Sequence, residues 1–537
     1  MKYNLCDEQW ILLVEGDSKT KAVGLKEAFL KANEFIGFGG EIRLQDTAML
    51  RLFAAIAVTM IYRYNLSGNA DYSTDETELL ERYRRIYSQG HFPEAMVDAY
   101  FEKWHDRFYL IDEKYPFYQV PRSKLAVEVR NKGKKSEETL YGLPGRDGKI
   151  RFMNHKDISA MNGVILESGN KASAYADLSG KDKNSMTLAE AARWLVWYMA
   201  YADCGTKSPG KWASQMTFAS MGANIYPTGR NLFETVMLSS VLINNGKQTY
   251  REVSPAWERE ASLYAQDDPY GDAAPQNLPE LYTQQSRRIL LEGSDSEITS
   301  FYVIAGDKYA AVNAFIEPMF LWKTDQTDKS GMTMTTVKYN VNSTWNNLRN
   351  ILLNSTTSRA VRWINLLQDQ EIIDVENVPY MMTGITYGSM QSSVDKMLSD
   401  SFIAAPEFFE DTLKTDDMRK LIDVINNLSS AFYRYGCNLA VAEGADPSQN
   451  AKIRGRLVQE KLESTGEKTL REYLVNQIDK GEARKELIAA CSNLVNEEMD
   501  KTSISAFSAK GDAKTAADYE SIIRYEISKI MKEGGNE

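Results

Sequence analysis

Cysteine and histidine are scarce in this chain. Four cysteines, Cys6, Cys204, Cys437 and Cys491, stand far apart in 537 residues and form no CxxC pair. That excludes a zinc ribbon and a disulfide framework and points to a reducing compartment. The three histidines, His91, His105 and His155, show no recognisable metal-ligand spacing. Long apolar runs are also missing: residues 52–62 and 191–202 are too short or too interrupted to cross a bilayer. Residues 1–8 lack a basic region followed by an apolar core, so no secretory signal is visible. A soluble, cytoplasmic protein is expected. Positive charge is not in excess either. The 63 Lys and Arg face 74 Asp and Glu, a net charge of −11. A surface coated for non-specific nucleic-acid binding is thereby excluded, whereas a local basic site is not.

What is present is ordinary globular material, 43% hydrophobic and 26% charged, long enough for several domains. Residues 10–14 read as a strand closed by Gly16-Asp17. Apolar spacing of three and four predicts helices over 25–35, 47–62 and 77–88, and Pro93-Glu94 opens another towards His105. Thr187 and Glu190 form a capping box for a helix over 187–202, and a further helix is predicted over 231–242. From about 281 to 337 the pattern turns to strands, including 288–291, 301–304 and 309–315. Residues 122–156 hold ten basic against four acidic side chains, which reads as a solvated loop or β-ribbon. Residues 166–186 are polar and read as a long loop.

The end of the chain differs. Four amphipathic segments are marked by Leu421 to Phe432, by Ile453, Leu457, Val458 and Leu462, by Leu487 to Val495, and by Tyr519 to Ile530. Asp446-Pro447 is expected to cap the second. The fold class is therefore α+β: a large mixed N-terminal domain, residues 1–400, followed by a C-terminal antiparallel four-helix bundle, residues 401–537.

Catalytic constellations fail one by one. There is no GxSxG elbow. Gly466-Glu467-Lys468-Thr469 looks like the end of a phosphate loop, but Glu467 and Leu462 stand where glycines belong and a helix precedes it. The Asp416-Asp417 pair is better explained by helix capping. His105-Asp106 leaves one alternative, a metal-dependent phosphohydrolase, which lacks further ligands at recognisable spacing. A non-enzymatic binding protein without cofactor or metal is expected.

An ordered series of motifs then carries a resemblance. It comprises Tyr3 to Trp10, Met49-Leu50-Arg51-Leu52, Arg107 to Asp112, Tyr115-Pro116-Phe117-Tyr118-Gln119, Ala191-Ala192-Arg193 and Gly229 to Thr235. Pro255-Ala256-Trp257-Glu258 and Thr283 to Arg288 complete it. In this order they resemble the CasA family, the large subunits of type I-E CRISPR Cascade complexes. The resemblance implies a role in RNA-guided antiviral defence. Its elements are recognition of the protospacer-adjacent motif in duplex DNA, the start of strand separation, and recruitment of a helicase-nuclease while guide RNA reads the sequence. The implied partners are target DNA, guide RNA, other Cascade subunits and that helicase-nuclease.

The resemblance also nominates residues. Tyr387 to Val394 resembles a hairpin carrying a glutamine wedge, making Gln391 the wedge beside Ser389 and Met390, with Gly384 and Gly388 allowing the turn. Gly306 to Tyr309 resembles the surroundings of a minor-groove lysine, here Lys308, suited to an electronegative groove. A glycine-rich loop that approaches DNA corresponds to a stretch from Asp203 that includes Gly205, Thr206 and Lys207, read as far as Gly222. This stretch holds Gly205, Gly210 and Gly222 rather than a dense run, while Lys207 and Lys211 offer phosphate contacts. The 166–186 segment corresponds to a loop docking near the guide's 5′ handle, with Tyr175 as aromatic anchor and Asp177 and Asn170 as polar neighbours.

Overall fold

The computed structural model describes residues 3–131, 137–145, 148–164, 182–203, 217–244, 248–259, 275–307, 317–320, 322–324, 334–336, 358–388, 394–409, 411–508 and 513–533. The chain is mixed α/β and divides into two compact units. One comprises Met1–Tyr339, Ser358–Asp374 and Pro379–Ser401, and the other is built on Phe402–Glu537 with Val375–Val378.

The first unit is organised around the Arg43–Arg63 helix. Among the described residues it is the one helix long and apolar enough to cross a membrane, and its apolar window is buried all round. A helix without a polar face can sit in a protein core in this way. Phe53 stacks on Phe29 with centroids 4.7 Å apart, and Phe92 and Phe101 close around Phe29 at 5.1 and 5.8 Å. The helix ends where Arg82, from the Glu76–Gln89 helix, donates Nη1 to the carbonyls of Ile61, Tyr64 and Asp71 at 2.8, 2.9 and 2.9 Å. The first two are carbonyls that a helix terminus otherwise leaves unpaired.

Local signals set most of the remaining elements. Thr187 and Glu190 exchange both bonds of a capping box at the start of the Leu188–Tyr201 helix. Asn231 caps the Leu232–Ser239 helix through Glu234 N–H. The helix expected over 25–35 stops earlier, as Leu25–Leu30, and residues 31–34 form turns.

The strands are antiparallel. Ile11–Val14 lies between Thr20–Val23 and Gly37–Phe38, and Ala126–Asn131, Glu137–Pro144 and Ile150–Phe152 form a second three-stranded sheet. The latter gives much of the basic 122–156 window the form of a β-ribbon. Arg287–Gly293 pairs with Glu297–Ala305, which also takes Asn154–Asp157 and Met186–Thr187. Val378–Tyr387 pairs with Asn224–Pro227 on one side and Val394–Ala404 on the other. Gly384, expected in a turn, therefore lies inside a strand. The strand expected over 309–315 lies outside the described residues.

In the second unit the helices are Thr412–Ala442, Asn450–Leu474, Lys480–Asp500 and Ala516–Glu533. Each packs on the next, and the last packs on the first. The first is capped by Asp411, which accepts from the N–H of Leu413 and Lys414 at 2.9 and 3.1 Å. Asp416 and Asp417 are not caps; they pair with Arg419 at 2.5 Å and Lys480 at 2.6 Å. Asp446 holds a turn by accepting from Ser448 N–H at 2.7 Å, and the second helix starts only at Asn450. Gly466 lies within that helix, so its neighbours form no phosphate loop.

Of the apolar residues expected on the buried face of this second helix, Val458 and Leu462 are buried while Ile453 and Leu457 are exposed. The buried stripe uses Ala451, Gly455 and Gly466 instead, because the first two helices approach closely. A Cβ on Gly436 would stand 3.0 Å from Gly455 Cα, and one on Gly466 would stand 2.8 Å from Ile425 Cγ2. On Gly455 a Cβ would fall on Cys437 Sγ and lie 2.8 Å from the Tyr433 carbonyl oxygen. Gly455→Ala is therefore expected to destabilise the protein by about 1–3 kcal/mol through overpacking, read as a lower urea midpoint with an unchanged m-value.

A candidate nucleic-acid interface

The nominated residues Ser389, Met390, Gln391, Lys308, Gly205, Thr206, Lys207, Tyr175 and Asp177 all lie outside the described residues. What the structure does describe are the positions at which the chain enters and leaves these stretches. For the hairpin, the lysine and the glycine segment, those positions are joined by hydrogen bonds.

The hairpin stands on the central helix. Its first strand sets Thr383 opposite Asn224. Thr383 Oγ1 lies 3.0 Å from Thr47 Oγ1 of the Arg43–Arg63 helix, and Thr47 also meets the Tyr226 hydroxyl at 3.3 Å. At the outer end of the strand, the Tyr387 hydroxyl donates to the carbonyl of Tyr201 at 2.9 Å. Tyr201 is the last residue of its helix, two positions before the glycine segment begins at Asp203.

Two successive arginines hold the other two positions. Arg287 donates Nη2 to the Asp203 carbonyl at 2.9 Å and Nη1 to the Ser286 carbonyl at 2.8 Å. Arg288, buried to 1% exposure, pairs with Asp307 through Nη2–Oδ1 at 2.6 Å and Nη1–Oδ2 at 3.2 Å. Neighbouring side chains on a strand point to opposite faces, so one strand start serves both segments. Asp307, immediately before Lys308, is fixed further by its N–H to the Gln285 carbonyl (2.8 Å) and by Gln284 Nε2 to its own carbonyl (2.9 Å). Gly306 must be glycine, since a Cβ there would fall on the Gln285 carbonyl oxygen.

Glu317 lies deep in the core. Glu317 Oε2 pairs with Arg51 Nη2 at 2.6 Å, with side chains 0% and 3% exposed, and its Oε1 accepts the Met319 N–H at 3.0 Å. The Arg51 guanidinium lies 4.2 Å from the centroid of the Tyr282 ring and also reaches Asn224 Oδ1 at 3.4 Å. Burial opposes the charge on Arg51, but Glu317 and then Tyr282 hold its pKa above the ordinary value. The side chains of Arg51, Arg287 and Arg288 thus serve as internal clamps.

Gly222, at the far end of the stretch read from Asp203, is buried, with the Phe320 ring 3.2 Å from where its Cβ would be; the missing side chain makes room for that ring. His105, next after the Glu94–Trp104 helix, ties that helix end to the start of the chain. Its Nε2 faces Asp7 Oδ2 at 2.8 Å, and its Nδ1 and carbonyl face Asn4 Nδ2 at 3.3 and 3.0 Å. Both ring nitrogens are thereby engaged, and among the described residues no three His, Cys, Asp or Glu side chains gather to hold a metal. Sequence reasoning missed the clamps, although Arg51, Arg287 and Arg288 stand inside quoted motifs. The available signal was an arginine in an otherwise apolar helix.

Comparison with known proteins gives one family. A family model described as CRISPR-associated protein Cse1 matches residues 4–499. The CRISPR-associated protein CasA/Cse1 of Thermus thermophilus is 27% identical over 267 residues, 48% of this chain and 42% of that protein. The match thus spans under half of that relative's length. The crystal structure of Thermobifida fusca Cse1 superposes with a TM-score of 0.77 at 20% identity, covering 99% of this chain and 98% of that one. A chain of a CRISPR RNA-guided surveillance complex shares the fold with a TM-score of 0.59 at 13% identity, all of both chains being covered.

Glu317→Ala should destabilise the first unit by about 3–5 kcal/mol, because it strands a buried guanidinium. Replacing both partners, as Arg51→Met with Glu317→Leu, should recover most of that loss in thermal or urea unfolding.

Proposed function

The chain belongs to the CRISPR-associated Cse1 family, and from that premise we propose that it is the non-catalytic subunit of a type I-E Cascade complex that reads the protospacer-adjacent motif. In this reading Lys308 probes the minor groove, and Gln391, flanked by Ser389 and Met390, wedges between base pairs. Gly205, Thr206 and Lys207 approach the backbone. The observation that carries it is the linkage Tyr387–Tyr201, Asp203–Arg287 and Arg288–Asp307, which ties three otherwise distant segments to one set of supports. A probe and a wedge act on the same few base pairs only if they are held together, and contacts of this kind lose effect when their supports drift.

The division of labour follows from the chemistry. The minor groove offers similar acceptors across base pairs, so a lysine there tolerates several flanking motifs. Inserting an amide displaces stacking at a cost of a few kcal/mol per step, which protein contacts must offset. Tyr175 and Asp177 belong to the segment that docks near the 5′ handle of the guide RNA, alongside the other Cascade subunits. Residues 1–400 form the motif-reading domain; residues 401–537 form an antiparallel four-helix bundle. The subunit works in the cytoplasm and helps recruit the helicase-nuclease that degrades the target. The name of the surveillance complex whose chain shares the fold supports this setting.

The test is strand opening by the assembled complex, followed with 2-aminopurine placed beside the flanking motif. Gln391→Ala should slow opening by about tenfold or more with motif binding retained. Lys308→Ala should weaken motif-dependent binding by about 1–3 kcal/mol. Wild-type opening by both variants would overturn the assignment.

A further inference from the structure

A cleft of ≈ 170 Å³ opens on the first unit, and its lining carries Arg107, Lys114, Lys124 and Arg259 and, among the described residues, no acidic side chain. In a chain with 74 Asp and Glu against 63 Lys and Arg, four cations around one cleft make a distinct local field. Arg259 is paired with Glu280 at 3.0 Å. Arg107, Lys114 and Lys124 have no carboxylate partner among the described residues. Two of these cations are pre-set. Arg107 and Lys114 lie over the Tyr115 ring at 3.5 and 4.8 Å from its centroid, and Asp112 Oδ1 fixes the turn beneath by accepting the N–H of Lys114 and Tyr115, both at 2.8 Å.

The lining is also strained. Tyr118, on the cleft wall, has φ +56°, a left-handed conformation that costs a bulky residue about 1–3 kcal/mol. It is held there by Phe117 and Trp257, with centroids 4.6 and 5.9 Å away. Gln285, on the same wall, accepts the Asp307 N–H at 2.8 Å, so the cleft adjoins the support of Lys308.

We propose that this cleft docks a phosphodiester of single-stranded nucleic acid. Its volume is below the roughly 300 Å³ at which small-molecule pockets begin, so it admits a phosphate with part of its sugar rather than a whole nucleotide. Cations beside aromatic faces are the chemistry that tracks a single strand. An acidic peptide would meet the same charges; the shared wall with the Lys308 support favours nucleic acid. The inference rests on the reading of the first unit as a nucleic-acid interface.

The test uses the full-length chain and fluorescein-labelled oligo-dT and oligo-U of about 20 nucleotides, with binding measured against salt. Lys114→Ala with Lys124→Ala, both at exposed positions, should weaken binding about tenfold at low salt and flatten the log–log salt slope by about 0.7 for each phosphate no longer neutralised. Loss for both oligonucleotides, or for one, supports the cleft and names the strand as either nucleic acid, DNA or RNA. Unchanged affinity and slope for both would overturn it. So would absence of binding by the wild-type chain at low salt, or displacement by poly-glutamate as effective as by unlabelled oligonucleotide. Strand opening by the assembled complex reads the wedge, whereas the salt slope of oligonucleotide binding by the chain alone reads the cleft, so failure of the one and failure of the other give different results.

Discussion

The ion pair between Arg51 and Glu317 is the constraint on which the internal supports of the first unit depend. A buried ion pair adds little net stability, since the cost of removing two charges from water roughly cancels their attraction. What it does is fix position: among the described residues Arg51 pairs with one carboxylate, 2.6 Å away, in a site buried from water. Thr47, four residues earlier and on the same helix face, holds Thr383 at 3.0 Å. One turn of one helix therefore supports the first strand of the hairpin and the exit of the segment that contains Lys308.

The same logic continues outward. Arg287 holds the carbonyl of Asp203, Arg288 the carboxylate of Asp307, and Tyr387 the carbonyl of Tyr201. A rigid scaffold that presents irregular segments is the usual arrangement for binding sites. These arginines are occupied inside the molecule, so in the proposed reading contact with phosphate falls to other cations of a chain whose net charge is −11.

Legibility was uneven, for identifiable reasons. The capping box of Thr187 and Glu190 was readable because its partners are three residues apart. The arginine clamps were not, because Arg51 and Glu317 are separated by 266 positions and nothing local pairs them. The second helix of the second unit misled for another reason. Ile453 and Leu457 have the apolar character of core residues, yet the close approach at Gly436 and Gly455 rewards small side chains and leaves them exposed. Likewise Asp416 and Asp417 looked like caps, while Asp411 supplied the cap one turn earlier.

From the residues alone came the mixed class, most helix positions, the lack of a recognisable catalytic set and the family resemblance, because period, capping and motif order are properties of short stretches of chain. Only the tertiary structure decided which polar residues are internal supports and which cations face a cleft. That distinction depends on burial and on partners hundreds of positions away, and side-chain identity carries neither.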